Sequence, residues 1–326
     1  MYQFNDIRSV HLEITNNCQA KCPMCPRRIN GGPINPNLNL SEISLETFKK
    51  WFPLDFIKQL HTLFMCGNLG DPIVARDTLE VFKFIRETNN NMSLVMHTNG
   101  SARSNAWWEE LAKLNVTVIF GIDGLEDTHH LYRVDTSWKT IINNATTFIN
   151  AGGKAEWHMI VFEHNEHQID ACKLLSTSIG FADFQVKHTS RFYDDVFIVL
   201  NEEGKSTHTL KPSSKSKKIM HMIKNNKQPG RIDCKSVNLQ QIYVSADGHI
   251  GPCCWFDWSW KRPENKNRID YMNKIGTLPN LNHLTVRQVF DSGYFNSIAD
   301  TWSNNPLLGC VAQCGNVDVL GFQFDE

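Results

Sequence analysis

Cys18-Gln19-Ala20-Lys21-Cys22-Pro23-Met24-Cys25 follows almost at once on the apolar run Val10-His11-Leu12-Glu13-Ile14, and the reading of this stretch decides the fold. A short strand that runs into three thiols spaced CxxxCxxC puts soft metal ligands at the carboxyl end of that strand. Three thiolates in one loop can hold three irons of a four-iron cubane and leave the fourth iron without a protein ligand. Zinc is the alternative, and a zinc knuckle calls for a fourth Cys or His at short spacing. None follows soon after Cys25. The position also suits chemistry, because barrel folds carry their active sites on loops at the carboxyl ends of strands.

Beyond the triad, apolar runs at 60–65, 93–97, 116–120, 155–161 and 184–186 read as five further strands. Between them, 46–52, 78–86, 106–114, 138–150 and 167–178 carry apolar residues at three- and four-residue spacing, as helices packed on one face do. Six strands alternating with helices predict an α/β fold, a partial (β/α)6 TIM-like barrel with a parallel sheet. The rhythm stops at 201–230, a polar, Lys-rich stretch with Pro212 and Pro229 that reads as a connector with one short helix near 219–223. After it, 240–245 and 249–253 around Ala246-Asp247-Gly248 read as a β-hairpin. The predicted division is a barrel over 1–200, a connector over 201–230 and a small C-terminal unit over 231–326. One large core and a smaller second one are expected.

Composition narrows the function classes. The 33 basic and 34 acidic side chains nearly cancel, so no global field draws in nucleic acid or an anionic membrane. The Lys-rich 205–227 stretch lacks interleaved aromatics for base stacking and reads as a solvated face. No apolar run approaches the roughly 20 residues of a membrane span, and the first ten residues lack the apolar core of a signal peptide. A cytoplasmic location is expected. Ten cysteines in a reducing compartment point to ligation or catalysis rather than disulfides.

In order along roughly its first 200 residues, the chain resembles the radical S-adenosylmethionine (SAM) superfamily. The triad Cys18, Cys22 and Cys25 is similar to that family's cluster loop, whose open iron is chelated by the amino and carboxylate groups of SAM. Met24 stands where an aromatic residue is more usual, with its backbone toward adenine. Gly67-Asn68-Leu69-Gly70-Asp71-Pro72 resembles the family's Gly-Gly-Glu-Pro segment, which holds the methionine amino group, with Asp71 in place of the commoner Glu. His97-Thr98-Asn99-Gly100 and Gly121-Ile122-Asp123-Gly124 resemble the strand-end loops around the ribose and carboxylate of SAM, with Gly121 where Ser is common. The resemblance implies that Thr98, Asn99 and Asp123 line the cofactor and that Arg133 pairs with its carboxylate, a bidentate role that Lys fills poorly. His158 and Asn165 flank the fifth strand's end, as contacts to adenine or substrate or, for His158, as a structural histidine.

Cys234, Gly248, Cys253, Cys310 and Cys314 are similar in spacing to the shortened SPASM or twitch domain of such enzymes. Four thiolates saturate a second 4Fe-4S cluster, although a four-cysteine zinc ribbon fits the spacing too. Cys254 is either a spare or the true ligand beside Cys253, while Cys66 and Cys172 read as core residues.

The resemblance implies reductive cleavage of SAM to methionine and a 5′-deoxyadenosyl radical, an external low-potential donor of the flavodoxin or ferredoxin type, and hydrogen abstraction from a substrate carbon. An auxiliary cluster suits net oxidation, as the electron acceptor, so an oxidoreductase is expected. Lys187, His188 and Arg191 follow the sixth strand and suit an anionic group, with a solvated loop as the alternative. A small anionic molecule is the expected substrate and a peptide or protein the alternative, because the first strand begins within ten residues of Met1 and leaves no room before it for a leader-binding module. A non-catalytic zinc module is the remaining alternative.

Overall fold

β1 (Ser9–Leu12) is buried along its whole length. Both of its edges are covered, by β2 (Thr62–Met65) on one side and β9 (Gln241–Val244) on the other, each parallel to it. The computed structural model describes residues 1–189, 191–192, 194–218, 231–256 and 266–315. Within them β3 (Ser93–Thr98), β4 (Val116–Gly121), β5 (Lys154–Val161) and β6 (Asp183–His188) continue the sheet in chain order, every pair parallel. Six parallel strands with helical crossovers make the predicted α/β partial barrel.

Helices α1 (Leu45–Trp51), α3 (Thr78–Thr88), α4 (Asn105–Ala112), α6 (Trp138–Asn150) and α7 (Ile169–Ile179) stand where the apolar spacing put them. Ser44, Ser104 and Ser137 start three of them by accepting the amide three residues on. Two short helices, α2 (Leu54–Gln59) and α5 (Glu126–His129), are too brief to show a period.

Burial alternates along the strands. In β5, Ala155, Trp157, Met159 and Val161 are buried, while Glu156, His158 and Ile160 are half-buried on the other face. Register puts His97 beside Ile119, Gly121 beside His158 and Ile160 beside Lys187, so these residues share the inner face of the open barrel. The outer face and its helices bury Trp108, Trp157, Phe48, Phe82, Phe120 and Phe148 completely.

Two features of the organisation go beyond the sequence expectations. The predicted hairpin is present, as β9 and β10 (Ile250–Gly251), but it extends the barrel sheet beside β1. Ile242, Val244, Tyr271, Phe295 and Ile298 therefore belong to the same apolar core as the barrel. The smaller second core lies elsewhere, around Ala20, Cys22, Met24, Tyr132, Phe162 and Val199. The connector expected from 201 also begins inside an antiparallel ribbon, β7 (Phe197–Leu200) with β8 (Ser206–Leu210). In β8 only Leu210 is buried and His208 half-buried, so the sequence shows no apolar alternation there. The helix expected near 219–223 and everything past 315 lie outside the described residues. No helix among those described is long and apolar enough to cross a membrane.

Candidate active site

The loop carrying Cys18, Cys22 and Cys25 leaves the end of β1 and folds back under the β7–β8 ribbon. Leu200 N–H donates to Asn30 O at 2.8 Å, and Glu202 takes Lys21 at 2.7 Å and Arg28 at 3.5 Å. All three thiols line one cavity of about 230 Å³. Burial pushes the Cys22 thiol up to about 11, with Arg133 the main opposing charge. Cys18 is pushed well up by burial, then by Asp71 and the other two thiols. Among the described residues no group of three or more Cys, His, Asp or Glu is drawn together as a finished metal cage. The donor set nevertheless fits an iron-sulfur cluster, since three thiolates beside a carboxylate in a dry wall become favourable only with positive charge among them.

The second wall is the 67–71 loop after β2. A Cβ on Gly67 would stand 1.4 Å from Gly70 O, and one on Gly70 1.8 Å from Thr15 O, so backbone packs directly on backbone. The result is a cradle that only glycine permits. Asp71, 5% exposed, accepts from Thr98 Oγ1 at 2.8 Å and Ile73 N at 3.1 Å on one oxygen. Its other oxygen accepts from Asn99 N at 2.7 Å and Asn99 Nδ2 at 2.6 Å. The carboxylate is thus engaged by four donors and acts as a strut between the β2 and β3 loops; burial raises its pKa against those donors. Asn99 also reaches the triad loop through Gln19, at 2.8 Å.

The third wall carries Arg133. Its Nε donates to the fully buried Asp123 at 2.6 Å, and its Nη1 lies 3.9 Å from Cys22 Sγ. Burial opposes the guanidinium charge, but Asp123 and Cys22 more than offset it and raise its pKa. A Cβ at Gly121 would come within 2.6 Å of Arg133 Nη2, so the missing side chain there is what seats the guanidinium. His158 lines the cavity, with its ring 5.4 Å from that of His97. His97 is held near 3 by burial, with His158, His11, Lys187 and Arg133 adding to the effect, and His11 near 4 by burial. Both are neutral imidazoles at neutral pH.

Most of the sequence-derived residues converge on this cavity: the triad, Gly67, Gly70, Asp71, Thr98, Asn99, Arg133, His158, Lys187, His188 and Arg191 all line it. Three do not. Asn165 is fully buried and spends its amide on Phe162 N, Ile160 O and Asp123 O, so it braces the β4 and β5 loops. Asp123 reaches the cavity only through Arg133. Met24 faces an adjoining groove, with its carbonyl accepting from Arg191 Nη1 at 3.3 Å. Cys172 is a core residue as expected, but Cys66 is not, since it lines both cavity and groove. Glu13 and Arg27, buried beside the triad, gave no sequence signal beyond being charges next to apolar runs.

The groove, about 800 Å³, runs from Met24 and Cys25 past His11 and Arg191 to Cys254, Trp255 and Gln313. At its far end Cys234, Cys253, Cys254, Cys310 and Cys314 all line a separate, largely apolar pocket of about 210 Å³. Local structure explains the convergence. Ile232 bridges Gly315 and Asp233 N–H donates to Cys314 O at 3.0 Å, which joins Cys234 to Cys314. The helix Leu308–Cys314 puts Cys310 one turn from Cys314, and the β9–β10 hairpin delivers Cys253. Burial raises Cys253 well above an ordinary thiol, with Cys254, Cys310 and Cys314 adding to the effect.

The comparisons with known proteins agree with this geometry. Residues 12–175 match the model of the radical SAM superfamily. Comparison with curated protein sequences finds no match. Among solved structures, Streptococcus suis SuiB bound to S-adenosylmethionine is 13% identical with a TM-score of 0.58, over 93% of this chain and 67% of SuiB. Native anSMEcpe with bound AdoMet is 16% identical with a TM-score of 0.57, over 88% of this chain and 82% of that one. At such identities the likeness speaks for the fold, and the family match spans half the sequence, from the end of β1 through the triad into α7: the chain belongs to the radical SAM superfamily.

Proposed function

We propose that this radical SAM enzyme oxidises a carbon of a peptide substrate that lies in the groove between the two cysteine sets. The observation that carries the reading is the groove itself, about 800 Å³ and reaching from the triad loop to Cys254. It offers apolar contact at Val196 and Ile198, 43% and 50% exposed, and cationic contact at Arg28, Arg191 and Lys235, with Asp194 the one carboxylate among the described residues that line it. An extended chain with an acidic side chain suits it. SuiB bound to a precursor peptide and anSMEcpe bound to a peptide have related folds, which is in keeping with such an occupant.

In this reading Cys18, Cys22 and Cys25 hold the first 4Fe-4S cluster. Carbonyls of the 67–70 loop receive the SAM amino group, and Arg133 its carboxylate. When bound and reduced by an external flavodoxin or ferredoxin-type donor, the cluster supplies the electron that splits SAM and yields a 5′-deoxyadenosyl radical. Phe64, His97, Ile119 and His158 wall the inner face, while the neutral imidazole of His97 adds no charge to compete with Arg133. Cys234, Cys253, Cys310 and Cys314 would hold a twitch-type auxiliary cluster as electron acceptor, in a unit running from 231 onward.

A second reading, a small anionic molecule as substrate, rests on Lys187, His188 and Arg191 lining the SAM cavity itself. Anaerobically reconstituted protein, given SAM and dithionite, separates the two. Acidic peptides that raise 5′-deoxyadenosine formation and lose two hydrogens support the first. Stimulation by small carboxylates or sugar phosphates alone refutes it.

A further inference from the structure

Two buried side chains meet on one peptide group of the 67–71 loop, and a third braces one of them. Glu13, just past β1 and 1% exposed, accepts through Oε1 from Leu69 N–H at 2.5 Å and Gly70 N–H at 3.0 Å. Its Oε2 accepts from the hydroxyl of Tyr243 in β9 at 2.7 Å. Arg27, two residues after Cys25 and 4% exposed, donates through Nη1 to Leu69 O at 3.0 Å and to Asn16 O, with Nη2 3.4 Å from Cys18 O. The Leu69–Gly70 peptide is therefore held by a cation at its carbonyl and a carboxylate at its amide. Both charges lie the favourable way along the peptide dipole, and in a water-poor interior such bonds strengthen one another. Asp71 N–H, bonded to Asn17 O at 2.9 Å, fixes the next unit.

We infer that Glu13, Arg27 and Tyr243 are positioning residues that, by fixing the Leu69–Gly70 peptide, orient the remaining carbonyls of the 67–70 loop toward the SAM ammonium. This rests on the reading of that loop as the methionine site. Tyr243 adds a connection, because it belongs to the hairpin that also delivers Cys253. The SAM loop and the second cysteine site are braced through one hydroxyl, and SAM affinity depends on the hairpin's seating.

The mildest test is Tyr243→Phe, which keeps the ring and deletes the bond to Glu13. SAM affinity, read from the EPR change of the reduced first cluster on titration with SAM, should weaken about 5- to 10-fold. The KM for SAM should rise with kcat for its cleavage held, and triad iron should be unchanged. Glu13→Gln keeps an acceptor for the loop amides and should lose less affinity than Glu13→Ala. Arg27→Lys should retain more than Arg27→Gln. Wild-type SAM affinity in both Tyr243→Phe and Glu13→Gln, with only a lowered Tm, would overturn the inference and leave these residues a purely structural role. Gly67→Ala tells this failure from that of the underlying reading: if it too leaves SAM affinity intact, the 67–70 loop is not the methionine site.

Discussion

Arg133→Ala probes the cofactor wall and the stability of the barrel together. Asp123 is fully buried and the Arg133 side chain only 18% exposed, so the 2.6 Å contact belongs to the class of buried pairs. Breaking one partner of such a pair costs about 3–5 kcal/mol, because the other charge stays buried without compensation. Asp123 keeps one hydrogen bond, from Ile160 N at 2.6 Å, which places the expected loss at the lower end of that range. The loss has a pH signature. Burial already raises the Asp123 pKa and Arg133 opposes it, so removing the guanidinium raises it further. A carboxyl whose folded pKa lies above its unfolded one lends stability at low pH and loses it as pH rises. The variant should therefore suffer more at pH 8 than at pH 5. Anaerobic urea unfolding followed by circular dichroism measures both effects, and Arg133→Ala with Asp123→Asn should recover most of the stability. Losses that simply add in the double variant, or a single-variant cost below about 1 kcal/mol as for an exposed pair, would refute the reasoning.

Gly67→Ala, whose Cβ would meet Gly70 O at 1.4 Å, should leave iron at the triad but abolish measurable SAM binding by calorimetry. Anaerobically purified protein should carry about eight irons per chain by colorimetric assay, and replacing Cys18, Cys22 and Cys25 by Ala should halve that and end 5′-deoxyadenosine formation. Replacing Cys310 and Cys314 by Ala should keep SAM cleavage, seen by chromatography, yet block the oxidised product. His11, neutral in the fold with a pKa near 4, should draw about 3 kcal/mol from stability as pH falls from about 6.5 to 4, because the unfolded chain takes up the proton first. His11→Gln should flatten that part of the stability profile in denaturant titrations.

The barrel and most of the cavity lining were legible because their signals are local. Strand 155–161 alternates with period two and helix 138–150 buries one stripe, so both can be read from a few residues. The triad, Gly67, Gly70 and Arg133 were legible as motifs, although the fully engaged carboxylate of Asp71 and the seat that Gly121 makes for Arg133 emerge only when separate strands meet. Glu13 and Tyr243 were illegible for the same reason. They lie 230 residues apart, and nothing near either one marks it as the other's partner. Asn165 misled because a polar residue at a strand end reads alike whether its amide faces a ligand or the backbone.

The parallel pairing of β9 with β1 matters most for the proposed chemistry. The triad leaves the carboxyl end of β1, but the hairpin reverses, so Gly251 stands opposite Tyr243 and Cys253 returns toward the amino end of β9. The two cysteine sets thus leave one strand pair in opposite directions, with the groove running between them past His11. An acceptor on a loose linker would wander by many ångströms, and electron transfer from a substrate radical would wander with it. An acceptor hydrogen-bonded into the sheet is held by register, Ser9 on Gln241 through Leu12 on Val244. A one-residue slip would turn Tyr243 away from Glu13 and take Ile242 and Val244 out of the apolar core they share with the barrel. The apolar burial that fixes the strand therefore also fixes the spacing between the two cysteine sets, so a C-terminal segment sharing the barrel's core would suit the proposed electron acceptor better than one with a core of its own.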